Sequence, residues 1–321
     1  MRRTTLFTLD TPYREPLSID GYEFGNKDGE PCCAIVGSMR GNEVEQTFVC
    51  AELVNRLTDL EVRGLTDPSK RVLIVPSVNP FSMNINKRFW PVDNTDINRM
   101  FPGYDEGETT QRIADGLFSA VSGYEYGVQL CSFYLSGDFQ PHVRVTEAGA
   151  ISAESLELAD DFGFSYVVAK KPSSFDTTTL NYNWQVWDTH AFSVFVRDMG
   201  SLSPDAATEV EDCILRFLDA RGVLRFSMPG GFRSTHIDET NLVDVRTTHA
   251  GGFFLHDVEP GERVRAGQTL GRVLDSGDAH VRETLTSPID GRVFFCHVAP
   301  LINQYTIAFK LAPETMWEHA Q

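Results

Sequence analysis

The stretch PCCAIVGSMRGNEVEQTFVCAELVNRLTDL, residues 31–60, decides the fold. Its opening run from Pro31 to Ser38 is continuously apolar, the pattern of a strand buried on both faces. From Glu43 the period changes, and apolar residues at 44, 48, 51, 54, 57 and 60 recur at helical spacing. Between the two lies the short loop from Ser38 to Glu43. This strand–loop–helix unit repeats along the chain. RVLIVPSVNP at 71–80 is a second apolar strand, and QRIADGLFSAVS from 111 is a second amphipathic helix. YGVQLCSFYL, FSYVVAK and AFSVFVRDMG supply further strands, with a helix from about Pro204 to Ala220. The pattern predicts an α/β fold with a central sheet covered by helices on both faces.

After residue 222 the texture changes to short β-type runs separated by Gly, Pro and Asp turns, such as GGFFLHDV and GRVFFCHV. The chain therefore divides into an α/β domain at 1–225 and an all-β domain at 226–321, with the boundary in the region 222–240.

Composition bounds the function. The 321 residues are 41% hydrophobic and 11% aromatic, enough for a sizeable core. Lys+Arg of 28 against Asp+Glu of 45 leaves a net charge of −17, which argues against nucleic acid or an anionic membrane surface as partner. Asp10 and Arg14 interrupt the N-terminal run before it reaches the length of an export signal, and no stretch approaches a membrane span. Six cysteines without CxxC spacing fit reduced thiols in a cytoplasmic protein.

Four segments sit where strands end, the edge at which open α/β sheets place ligands. They are SMRGNE at 38–43, Asn79-Pro80 continuing to DINRMFPG at 96–103, Gln129-Leu130-Cys131, and Arg197-Asp198-Met199-Gly200. In this order, with Arg88 upstream of DINRMFPG and Thr179-Leu180-Asn181-Tyr182 before the last strand, they resemble the succinylglutamate desuccinylase/aspartoacylase family of the zinc carboxypeptidase clan. The resemblance runs over nearly the whole chain. It implies a mixed central sheet of the zinc carboxypeptidase type and a zinc ion held by His, Glu and His that activates water against an amide.

The chain departs from that pattern at its centre. The first histidine position is Arg40, Glu43 is retained, and the second histidine position is Cys131, with Gln129 in place of an aspartate. Asp198 stands at the general-base glutamate, one methylene shorter. By resemblance, Glu43 and Asp198 are the catalytic positions, and Arg88, Asn98 and Arg99, with Arg40 added, are substrate-binding. Glu43 and Cys131 are the residual metal positions. A guanidinium has no lone pair to give a cation, so zinc is expected to be weak or absent, and Arg40 is expected to pair with Glu43. The planar guanidinium of Arg99 suits a small carboxylate whether or not a metal binds. Cys131 could alternatively act as a nucleophile if His142 approached it.

The C-terminal segment resembles the β-module, similar to lipoyl and biotinyl domains, that many of these relatives carry. No lysine lies between Lys171 and Lys310, so a carrier role does not suit it. Covering a sheet edge, shaping the pocket mouth or mediating homo-oligomerisation does. Two readings stay open. One is a hydrolase of a small N-acyl amino acid or related carboxylate with an impaired zinc site, and the other is an inactive homologue that binds an acidic metabolite or a protein partner.

Overall fold

In the computed structural model, which describes residues 1–11, 15–134, 136–147, 151–197 and 202–314, strands and helices alternate through the first part of the chain. In order they are β1 (Arg2–Leu9), β2 (Leu17–Phe24), β3 (Glu30–Ser38), α1 (Val44–Val62), β4 (Lys70–Ser77), α2 (Pro80–Asn84), α3 (Thr109–Val121), β5 (Tyr126–Cys131), β6 (Gly137–Phe139), β7 (His142–Thr146), α4 (Ala153–Asp160), β8 (Tyr166–Lys170), α5 (Leu180–Val186), β9 (His190–Phe195), α6 (Pro204–Ala220) and β10 (Thr235–Asp238). Nine of these strands form one sheet in the order β1-β2-β4-β3-β5-β9-β7-β8-β10. β3 runs parallel to β4 and β5, and β5 parallel to β9. β7 runs antiparallel to β9, so the sheet is mixed.

The apolar run of the opening stretch explains why β3 is central. Cys33, Ala34, Ile35 and Val36 are each 0% exposed, and their alternation feeds two separate cores. Cys33 and Ile35 pack under α1 and α6 with Leu53, Leu57, Ile214 and Phe217. Ala34 and Val36 pack on the other face with Ile113 and Leu117 of α3 and Trp184 of α5. The buried stripe of α1 differs from the predicted one. It runs through Val49, Cys50, Leu53, Leu57 and Leu60, while Val44 is 39% exposed. Polar contacts set the rotation: Gln46 donates to the Cys131 carbonyl at 3.3 Å, and Glu45 accepts from Ser203 N at 3.2 Å, which draws both inside.

The remaining strands are β11 (Val243–Arg246), β12 (Gly252–His256), β13 (Arg263–Val264), β14 (Thr269–Leu274), β15 (Val281–Thr286), β16 (Gly291–His297), β17 (Leu301–Ile302) and β18 (Ile307–Pro313). They make two sheets, ordered β11-β18-β16-β13 and β15-β14-β12-β17, around a core that includes Leu270, Val273, Val293 and Phe309. The two halves of the chain exchange strands. β10, which follows residue 225, joins the large sheet parallel to β8, and β6 pairs antiparallel with β16. Among the described residues no helix is long and apolar enough to cross a membrane, and all six cysteines are free thiols.

The junction is aromatic. Phe139, Tyr166, Phe294 and Phe295 share one buried cluster, and His142, 0% exposed, stacks on Phe195 with ring centres 4.8 Å apart. The His142 Nδ1 lies 2.9 Å from the Gln140 carbonyl, and burial, reinforced by the Arg144 charge, pushes its pKa down from 6.5 to about 3. The unfolded chain therefore takes up a proton at His142 between these two values while the folded protein does not. Its contribution is fully present above pH 6.5 and is lost as pH falls toward 3, at about 1.4 kcal/mol per pKa unit. His142→Phe keeps the stack and removes the proton site. Its urea midpoint should fall less steeply than that of the wild type between pH 7 and pH 4; parallel curves would show that another group controls the acid limb.

Candidate functional site

Because β3, β4, β5 and β9 point the same way, their C-terminal ends open at one edge, and the loops there assemble the motifs. Each loop is held by a local device. At Gly41 a Cβ would stand 2.3 Å from the Lys87 carbonyl, so only glycine lets the β3–α1 turn lie against the next loop. Asn79 caps α2, accepting from Ser82 N at 3.1 Å, with Pro80 in the first turn. Asp96 caps the 3-10 turn Ile97–Arg99, its Oδ1 accepting from Asn98 N at 3.1 Å. Gly103, at φ +101, closes DINRMFPG where a Cβ would be 2.1 Å from Asp115 N.

The centre of the site is an ion cluster. Glu43 is 1% exposed, and its Oε2 accepts from the backbone nitrogens of Met39 at 2.9 Å and Arg40 at 3.0 Å. Its Oε1 accepts from Arg40 Nη1 at 2.9 Å and from the Ser132 hydroxyl. The other edge of the Arg40 guanidinium meets Asp96 Oδ2, with Nη2 at 2.8 Å and Nε at 3.2 Å. Burial alone would lower the Arg40 pKa, but Glu43 and Asp96 outweigh it and hold the group above its ordinary value. Burial, and then the Glu43 charge, push the Cys131 thiol up to about 12, so it stays protonated at neutral pH. It donates to the Gln129 carbonyl at 3.5 Å.

Beside the cluster lies a cavity of about 560 Å³ lined by Arg40, Asn98, Arg99, Gln129, Cys131 and Ser132, among others. Among the described residues six cationic side chains line it, from Arg40, Arg99, Arg144, Lys170, Arg246 and Lys310, against the three carboxylates of Asp176, Glu239 and Asp244. Five of the six cations are paired. Arg40 holds Glu43 and Asp96, Lys170 meets Asp176 at 3.0 Å, Arg144 meets Glu239 at 3.3 Å, and Arg246 and Lys310 each reach Asp244 at 2.7 Å. Arg99 alone has no carboxylate partner among the described residues; its Nη1 donates to the Phe175 carbonyl.

The residues singled out from sequence divide accordingly. Arg40, Asn98, Arg99 and Cys131 line the cavity. Arg88 does not; it donates to the carbonyls of Tyr134 at 2.9 Å and Phe133 at 3.3 Å, and burial and then the Arg40 charge lower its pKa. Asp198 lies outside the described residues. His142 does not approach Cys131. Both pair with Phe195, but from opposite sides of β9, which separates them by two strand spacings, roughly 10 Å. Sequence reasoning missed Arg144, Lys170, Arg246, Lys310 and Ser132. The four cations sit on β7, β8, β11 and β18, strands that meet only in the folded chain, and no spacing announces them. Among the described residues the only trio of His, Cys, Asp or Glu side chains close enough to share a metal is Asp275, Asp278 and His280, at the β14–β15 hairpin.

Comparison with known proteins places this geometry. A family model for the succinylglutamate desuccinylase/aspartoacylase catalytic domain matches residues 30–221. N-alpha-acetyl-L-2,4-diaminobutyric acid deacetylase of Halomonas elongata is 36% identical over 90 residues, 28% of this chain and 25% of that enzyme, so the match spans about a quarter of the curated relative. The product-bound ectoine utilization protein EutE (DoeB) of Ruegeria pomeroyi superposes with a TM-score of 0.80 at 19% identity, covering 97% of this chain and 94% of that one. A succinylglutamate desuccinylase/aspartoacylase from Rhodobacter sphaeroides superposes with a TM-score of 0.75 at 22% identity over 92% and 89%. At these identities the solved structures establish a shared fold.

The ion cluster makes a prediction of its own. Arg40, Glu43 and Asp96 have side-chain exposures of 11%, 1% and 15%, so removing the cation strands two carboxylates away from water. Arg40→Met should cost about 3 to 5 kcal/mol in urea unfolding. Adding Glu43→Gln should return part of that loss by removing one stranded charge. A single variant as stable as the wild type would mean that the pair does not hold the turn.

Proposed function

The chain belongs to the succinylglutamate desuccinylase/aspartoacylase family, and from that premise we propose that it binds a small N-acyl amino acid or related carboxylate in the cavity beside Arg99, without the zinc-activated water of the family's hydrolase chemistry. One observation carries the reading: two neighbouring arginines have opposite assignments. Arg40 is spent on Glu43 and Asp96, whereas Arg99 lines the cavity with no carboxylate partner among the described residues. A guanidinium in that state offers a bidentate fork to an incoming carboxylate.

The zinc that the family implies does not suit these side chains. Both Glu43 oxygens already accept two hydrogen bonds each. Arg40 has no lone pair and carries a positive charge 2.9 Å from Glu43 Oε1. Cys131 would have to give up its proton to serve as a ligand, beside a guanidinium that repels the incoming cation. The similarity to a deacetylase over 90 residues supports a second reading, that of a working hydrolase of an N-acyl amino acid, and the same experiment separates the two.

Metal content would be measured on purified wild type and on Arg40→His/Cys131→His, and binding of N-acetyl-L-glutamate and N-acetyl-L-alanine would be followed by calorimetry. The wild type should carry far less than one zinc per chain and bind at least one of the two compounds; the double variant should gain metal. Arg99→Ala should weaken binding by at least tenfold, since a hydrogen bond to a charged group contributes about 1.5 to 3 kcal/mol. Stoichiometric zinc in the wild type, together with hydrolysis of either compound, would replace this reading with the hydrolase.

A further inference from the structure

Asn98 is 7% exposed and lines the cavity, and its side-chain oxygen is engaged twice. Leu180 N donates to Oδ1 at 3.3 Å, and Gln129 Nε2 donates to the same atom at 3.1 Å. Side-chain amides can be turned end for end without changing their shape, so their orientation has to be decided by their partners. Here the backbone decides it. Leu180 opens α5, where N–H groups have no partner within the helix, and a backbone N–H can only donate. The atom it faces must therefore be the Asn98 oxygen, and Gln129, meeting that same oxygen, must present its NH2 group. The Asn98 nitrogen is left on the other side of the amide, and it makes no hydrogen bond to a described residue.

A second restraint reaches the same residue. Asn98 N donates to Asp96 Oδ1 at 3.1 Å, while Asp96 Oδ2 receives the Arg40 fork. The backbone of Asn98 is thus fixed through Arg40, and its side chain through Gln129, which is 2% exposed.

We propose that Gln129 is a positioning residue: it locks the Asn98 amide with its NH2 toward the cavity, so that a bound carboxylate or acyl oxygen meets a neutral donor beside the Arg99 guanidinium. The inference rests on the carboxylate-binding reading above and adds to it a residue that acts through another. An ionised carboxylate at position 129 would set acceptor against acceptor. Asn98 would then have to turn over, leaving Leu180 N without its partner and aiming an oxygen at the ligand.

A double-mutant cycle tests this. Gln129→Met, similar in shape but without a donor, should weaken N-acetyl-L-glutamate binding about tenfold in the wild-type background and leave it unchanged in Asn98→Ala. Gln129→Glu should bind poorly at pH 8 and recover toward pH 5, where a protonated carboxyl regains the donor. Equal losses in both backgrounds, or no loss in either, would overturn the proposal. If the wild type binds neither N-acetyl-L-glutamate nor N-acetyl-L-alanine, the functional reading is what fails, and the ligand-free protein still decides the role of Gln129. The Asn98 side-chain NH2 signals, identified by their loss in Asn98→Ala, should shift in the NMR spectrum of Gln129→Met. Unmoved signals would end the proposal.

Discussion

One guanidinium ties together two loops that lie 56 residues apart in the chain. Arg40 faces Glu43 with one nitrogen and Asp96 with two, and neither carboxylate has much access to water. Buried carboxylates of this kind cost several kcal/mol each unless a cation and further donors compensate them. A lysine could not take the same place, because a single ammonium cannot present separate edges to two acids in fixed geometry. Two turns beside the cavity take their shape from this contact. Glu43 reaches back to the Met39 and Arg40 backbone and shapes the turn before α1, while Asp96 caps the turn that carries Asn98 and Arg99.

The electrostatics of the cavity run against those of the chain. A protein of net charge −17 gathers six cations around one hollow, and low-dielectric walls strengthen their field there. Internal pairing limits what that field costs in stability. Asp244 serves two cations, Arg246 and Lys310, and Lys170 and Arg144 each have an acid of their own. The cavity is also built by both halves of the chain, since Arg246 and Lys310 come from β11 and β18 while Arg99 and Lys170 come from the large sheet and its loops. The β6–β16 pairing and the aromatic junction behind it therefore fix the distance between these two sets of charges.

What could be read from the sequence follows from the range of each interaction. β3, β4, β5 and β9 are apolar because the layers on both faces bury them, and α1 and α6 show helical periods, so local patterning exposes them. The hairpin of β1 and β2 escaped that reading. It lies at the sheet edge, mixes exposed and buried positions, and is held partly by charge, as in the Arg3–Asp20 contact at 2.6 Å. In the site, the partnership of Arg40 with Glu43 is short range and legible. Its second partner, Asp96, is not, because only the fold brings that loop beside the first. Arg88 shows the converse limit. Its position upstream of DINRMFPG marks it as a cation of the pocket, yet its donors go to two backbone carbonyls, a use that residue type and spacing cannot reveal.

Single exchanges beside the cavity carry costs that the contacts make explicit. Exchanging Arg40 alone for a neutral ligand leaves Glu43 and Asp96 unpaired, a loss of about 3 to 5 kcal/mol against total stabilities of only about 5 to 15 kcal/mol. Exchanging Gln129 alone for an acid sets a carboxylate against the Asn98 oxygen, which Leu180 N holds in place. Exchanging Cys131 alone adds a ligand beside a guanidinium that still repels any cation. The first two exchanges each strand a buried group that a present contact satisfies. Arg40 and Gln129 thus each hold a buried partner in place, the first by its charge and the second by a donor that an ionised acid would lack.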